Sequence, residues 1–183
     1  MNELAVAEDF LRQAGRGTQR QTARVIARAP WPVLRKAALT HPDPSTRGWL
    51  LHYLDHYDND ASMATFAEAL HDPEERVRLV ALHSIACESC KEEDLCVVDV
   101  VPDLIEVLQT DPSVDIRVRA LTQLIYLSPR DERIRPAIER TAADDPDAIL
   151  RKTAADAVTG FLTRPRKRYE RSQLRHASTR PRR

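Results

Sequence analysis

Glycine is scarce in this chain, with four in 183 residues, and the scarcity removes whole classes of chemistry. No Gly-rich loop is present to cradle a phosphate. The Gly-x-Ser-x-Gly elbow of serine hydrolases and the His-Glu-x-x-His pair of zinc peptidases are missing as well. Aromatic residues make up only 5% of the chain, and no run of alternating β-branched residues marks a strand. Apolar stretches are short and broken by charge, so none is expected to span a bilayer. Met1 to Leu4 has no basic segment leading into an apolar stretch, which argues against a secretory signal. Three cysteines, an odd number, then argue for a reducing interior, and the expected compartment is the cytoplasm.

Net charge is also lacking, with 28 Lys and Arg against 28 Asp and Glu. The balance hides an asymmetry. Between Arg164 and Arg183 nine Arg or Lys face the single Glu170, so the tail carries +8 and the rest of the chain −8. An acidic body with a basic tail bears on partners, not on fold. Carboxylates are plentiful, but they fall at helix caps and on exposed faces, and no two are marked as an acid–base pair.

What the sequence does hold is a repeated phrase. It reads His41-Pro42, Arg47, Leu50-Leu51, Leu54, and then Asp72-Pro73, Arg78, Ala81-Leu82, Ile85. It returns as Asp111-Pro112, Arg117, Ala120-Leu121, Leu124 and as Asp145-Pro146, Arg151, Ala154-Ala155, Val158. The steps of 31, 39 and 34 residues are those of a stacked-repeat protein. Asp before Pro stops one helix and starts another. The carboxylate of Asp72, Asp111 or Asp145 can accept from first-turn amides, and the proline that follows suits the first helical position. The apolar residues after it share one helical face. Upstream, Met63, Phe66, Ala67 and Leu70 form a second stripe, as do Val97, Val101, Leu104, Ile105 and Leu108, and Ile134, Ala137 and Ile138. Each repeat is therefore a helix, a turn and a helix, and the low glycine content agrees with an all-α fold. Arg47, Arg78, Arg117 and Arg151 stand at one register. There each can reach the capping carboxylate of an adjacent repeat, a ladder worth about 1 kcal/mol per partly buried pair.

This combination resembles the HEAT repeat, and more closely the HEAT-like repeats of the phycobilisome-lyase type, over residues 31 to 162. The resemblance implies a right-handed α-α superhelix with a concave binding surface, and no single activity. Four helix pairs are expected, at about 31–57, 60–87, 97–127 and 131–162. The first departs from the pattern by placing His41 where Asp is expected, with Asp43 close enough to cap. Residues 1–30 read as a helical cap, with helices at Leu4–Gln13 and Thr18–Arg28 broken at Gly15-Arg16-Gly17 and with Thr18 as N-cap. Trp31 is expected to close the junction between cap and repeats. Residues 163–183 read as a disordered basic tail.

The longest step carries an insertion at 87–96 that holds all three cysteines. Cys87-x2-Cys90-x5-Cys96, with His83 one turn upstream, offers the four S and N ligands of a structural zinc site. A redox pair comes second, since the acidic neighbours Glu88, Glu92, Glu93 and Asp94 disfavour a thiolate. The plain alternative is a small buried Cys87 at a helix end, a solvated turn, and a His83 that packs between repeats as its counterpart His52 does. The insertion is similar to a Cys-x2-Cys-Lys segment with a further cysteine in bacterial HEAT-repeat proteins, which implies a shared metal or thiol role.

Trp49, Tyr53 and His56 are spaced along one helix, with His52 and His56 four apart beside Asp55. Packing against the next repeat is the leading reading. A binding face for a base or other ligand, or a two-histidine metal site, are the sharper ones. The tail, with Arg164, Arg166, Lys167 and Arg168 at its start, can bind phosphate backbone or an acidic partner, or serve only to solubilise. Taken together the chain reads as a non-enzymatic scaffold or adaptor that binds another protein. Nucleic-acid binding through the tail is the first alternative. A lyase-like chaperone or enzyme handling a chromophore or cofactor through His83 and the cysteines is the second.

Overall fold

In the computed structural model of the chain the described residues are 2–16, 19–86, 99–127 and 131–160. Among them are ten helices and no strand. Helices α1 (Glu3–Arg16) and α2 (Gln19–Ile26) precede the repeats. The repeats follow as pairs: α3 (Trp31–Thr40) with α4 (Pro44–Tyr57), α5 (Asn59–Ala69) with α6 (Glu75–Ala86), α7 (Val101–Thr110) with α8 (Val114–Leu127), and α9 (Ile134–Asp144) with α10 (Ala148–Gly160). The all-α expectation holds. No helix among the described residues is long and apolar enough to cross a membrane. Helix α1 runs on through Gly15 and Arg16, where a break is expected from the sequence. A lone glycine costs about 1 kcal/mol against alanine, too little to stop a helix by itself. Gly17 and the expected cap Thr18 lie outside the described residues.

The chain divides into two compact units, Met1–Asp103 and Leu104–Arg183. In the first, α3 packs on α4 and α5, α4 on α5 and α6, and α1 rests on α2, α3 and α4. Its interior is built from the apolar positions of the phrase. Leu50, Leu51, Leu54, Val77, Ala81 and Phe66 are wholly buried. The expected closing role of Trp31 is visible as an edge-to-face contact with Phe10 of α1, ring centroids 6.0 Å apart. In the second unit α9 and α10 pack together and both touch α8, around Leu121, Leu124, Ile134, Ile138 and Leu150. There the last phrase thins out. Ala154 is buried, but Ala155 is exposed and Val158 half-buried, so the expected apolar stripe of α10 is covered on one edge only.

The turn chemistry differs from expectation in one respect. The Asp of each Asp-Pro is not the N-cap. Its Oδ1 accepts the amide two residues on: Glu74 for Asp72 at 2.9 Å, Ser113 for Asp111 at 2.8 Å and Asp147 for Asp145 at 2.8 Å. In the first repeat His41 does the same work, its Nδ1 accepting from the Asp43 amide at 3.1 Å. The capping residue is the one so held. Asp43 accepts from the Ser45 and Thr46 amides, the Ser113 hydroxyl from Ile116, and Asp147 from Leu150. Proline fits this shift, because it fixes φ one step before the cap and needs no acceptor.

Thr46, through its hydroxyl and then its amide, holds the Asp43 carboxyl below its ordinary value of 3.8. A depressed folded-state pKa stabilises above the unfolded value and is lost as the pH falls through the folded one. The stability gap between the wild type and Asp43→Ala is therefore expected to be full near neutral pH. It should shrink as the pH drops below about 4. Denaturant midpoints at both pH values check this, and a gap that widens in acid would reverse the assignment.

Candidate functional site

The four register arginines are each the fourth residue of their helix. Each turns its Nη1 back onto the carbonyls of its own turn. Arg47 reaches the oxygens of His41 and Pro42 at 2.7 and 3.4 Å, Arg78 those of Asp72 and Pro73 at 2.9 and 3.2 Å. Arg117 reaches Asp111 and Pro112 at 2.8 and 3.5 Å, and Arg151 reaches Asp145 and Pro146 at 2.6 and 3.1 Å. In Arg47 and Arg117 the rest of the fork serves the next repeat. Arg47 grips Asp72 with Nε and Nη2, both at 2.7 Å, and Arg117 grips Asp145 at 3.0 and 3.1 Å. Side-chain exposure is 9% and 5% in the first pair and 7% and 5% in the second, deeper than the partly buried ladder expected from the sequence. The Asp72 carboxylate holds the Arg47 guanidinium above its ordinary range. These arginines are structural, and their commitment to carbonyls and carboxylates leaves the chemistry of the surface to other residues.

Helix α4 shows what the ladder costs its neighbours. The phrase turns Arg47, Leu50, Leu51, Leu54 and Asp55 inward. Past the first turn, Trp49, His52, His56 and Tyr57 are exposed and Tyr53 is half-buried among them, one stripe at i, i+3, i+4, i+7 and i+8. Trp49 is 57% exposed and Tyr57 51%. Polarity on this helix is inverted: its charged residues, Arg47 and Asp55, are buried and its exposed stripe is aromatic and uncharged. The expected packing of Trp49 and His56 against the next repeat is thus corrected. Once positions 47, 50, 51 and 54 are inside, 49, 53 and 56 must lie on the other side of the helix, a signal already present in the phrase. Tyr57, the last residue of the helix, is exposed beside this face although it stands seven residues after the buried Leu50, so the register does not point to it.

The rings of the stripe touch one another. Trp49 meets His52 edge-on at 5.8 Å, His52 meets His56 at 4.3 Å, and Tyr53 stacks on Tyr57 at 6.1 Å with planes at 23°. Beneath them Phe10 of α1 packs its ring edge-to-face against Tyr53 at 5.3 Å, so the stripe is anchored at one point. Burial, and then the neighbouring His56, push the His52 imidazole below its ordinary pKa, with Asp55 opposing and His83 adding to the shift. His83 of α6 is exposed and acts on His52 from the equivalent position of the next repeat. Burial raises the Tyr53 phenol, and the neighbouring Tyr57 adds to this.

Beside this face α1 and α2 enclose an open cleft of about 360 Å³, lined among others by Val6, Phe10, Arg24, Val25 and Arg28. Its one carboxylate, Asp9, is engaged by Arg12 and Gln13. The thiol site expected around His83 is not brought together within the described residues. Cys87, Cys90 and Cys96 lie outside them, and among the described residues no three His, Cys, Asp or Glu gather at one point. The basic residues Arg164, Arg166, Lys167 and Arg168 also lie outside the described residues. Comparison with protein-family models, with curated proteins and with solved structures finds no match for the chain.

Proposed function

We propose that the chain is a non-enzymatic binding module, a helix-pair repeat protein of HEAT-like build whose first repeat presents the outward face of α4 to another protein. One observation carries this reading. Trp49 and Tyr57 stand more than half exposed on a helix whose own charges are buried. An exposed tryptophan and tyrosine with no charge between them are costly to leave in water. They are also the residue types that dominate binding energy at protein interfaces. Tyrosine and tryptophan bring large area at low rotamer cost, and the anchoring of Tyr53 by Phe10 reduces what ordering remains to be done. The repeat scaffold supports the same role, since stacked helix pairs supply surfaces that are rigid before a partner arrives. The reading places the module in the cytoplasm and takes any zinc in the 83–96 loop as a structural ion.

The test uses the full chain as bait. A partner recovered in stoichiometric amount from the wild type is expected to lose at least about 2 kcal/mol of binding, roughly thirtyfold in Kd, on Trp49→Ala. Tyr57→Ala should act in the same direction. Because Trp49 is exposed, its removal should leave the stability of the fold within about 0.5 kcal/mol of wild type. A partner that binds Trp49→Ala, Tyr57→Ala and wild type equally would overturn the assignment of this face.

A further inference from the structure

Helix α4 holds His52 and His56 one turn apart on its outward stripe, at i and i+4. Their ring centroids lie 4.3 Å apart with planes at 52°. Two imidazoles bound to one tetrahedral ion through one nitrogen each, at about 2.0 Å, have centroids about 5.2 Å apart. The rings of the free helix stand within about 1 Å of that spacing, a difference that a small rotation of the two side chains takes up. The His56 ring is oriented as well. Its Nδ1 lies 2.9 Å from the His52 carbonyl oxygen. A carbonyl only accepts, so Nδ1 carries the proton and the lone pair of the neutral ring is on Nε2. An imidazole that donates one N–H to a backbone carbonyl and offers its other nitrogen is the usual arrangement at a metal centre. The buried Asp55 carboxylate, 3.9 Å from the same Nδ1, adds negative charge behind the ring. No lysine or arginine shares the stripe to repel a cation.

We propose that His52 and His56 form a two-imidazole clamp for a divalent transition-metal ion of the zinc, nickel and copper class. Imidazole nitrogen suits these ions and not magnesium or calcium, which take oxygen. Two protein ligands leave coordination positions open to water or to a donor from a bound partner, as befits a site on an exposed face. The clamp uses none of the residues expected at the thiol site, His83, Cys87, Cys90 and Cys96.

The experiment is a calorimetric titration of the full chain, with Cys87→Ser, Cys90→Ser and Cys96→Ser in place, using Zn2+ alone. One Zn2+ per chain is expected. Either His52→Gln or His56→Gln should weaken it by at least about tenfold, the cost that even a lost supporting contact carries at a metal site. Ile149→Ala, at a 74% exposed position on α10 of the second unit, should leave it unchanged, and the titration contains no protein partner, which keeps this result distinct from the protein-binding test. No binding, or binding that ignores both histidine substitutions, overturns the proposal. If the triple serine chain does not fold, imidazole nitrogen spectra of the wild type give the answer. Zn2+ should shift the His52 and His56 signals ahead of that of the exposed His71, and signals that stay put overturn the proposal wherever else the ion binds.

Discussion

Asp72→Ala is expected to destabilise the first unit by about 3–5 kcal/mol, the range found when one partner of a buried ion pair is removed. The size follows from what the carboxylate does. It receives two arms of the Arg47 fork at 2.7 Å and also the Glu74 amide at 2.9 Å. Without it the guanidinium keeps its charge, since arginine does not deprotonate in a protein, and stays in a site only 9% exposed. A surface pair would lose under 1 kcal/mol by the same change, so the measurement separates the two views of the ladder directly. Burial of both side chains decides between them. Arg47→Lys should fall short as well, because an ammonium cannot present the planar fork that meets the carboxylate and the His41 carbonyl together. Replacing both residues, Arg47→Met with Asp72→Leu, should recover part of the loss, with a coupling of about 1–3 kcal/mol in the double-mutant cycle. Recovery stays incomplete because the Glu74 amide and the His41 carbonyl both lose their partners in the double variant. Equilibrium denaturation of the wild type, Arg47→Met, Asp72→Leu and the double variant closes the cycle, and a coupling near zero would show that the pair adds nothing to the fold.

The ladder was legible because arginine recurs at one register, and a periodic charge is hard to explain without a periodic partner. Helix pairing was legible from Asp-Pro and the apolar spacing behind it. The site of the cap was not, because an Asp two residues before the cap and an Asp at the cap have the same sequence neighbourhood. Only the observed acceptance of the i+2 amide separates them. His41 shows why the first repeat tolerates its departure. An imidazole nitrogen is an acceptor too, and Nδ1 reaches the Asp43 amide just as Oδ1 reaches its counterpart in the other repeats. The outward face of α4 is legible only from register. Aromatic residues usually lie inside, but Arg47, Leu50, Leu51 and Leu54 fix the inward side of this helix. The His52–His56 spacing was visible as i, i+4. That the two rings meet, and that His56 is held by a carbonyl, was not.

Phe66→Ala should cost about 3–5 kcal/mol while leaving the α4 face intact, which makes it the complement of Trp49→Ala. Phe66 is the bulkiest of the fully buried side chains, with no exposed area, and it sits on α5 where that helix meets α3, α4 and α6. Removing the ring leaves a void among elements that are held in place from several sides. The ladder pins α4 to the start of α6 through Arg47 and Asp72, and Asp58, at the junction of α4 and α5, is tied to Arg35 of α3 and to Ser62 of α5. Helices so tied cannot collapse into the gap, and a site that cannot collapse bears the cavity cost on top of the lost transfer energy. Phe66→Leu, which keeps most of the apolar volume, should lose much less. The two aromatic truncations then dissect the first unit. Phe66→Ala should lower the denaturation midpoint and reduce partner or metal binding only in proportion to the unfolded fraction, whereas Trp49→Ala should reduce partner binding at an unchanged midpoint. The same dependence on folding from both substitutions would mean that Trp49 supports the interior and that the outward stripe of α4 is not a binding surface.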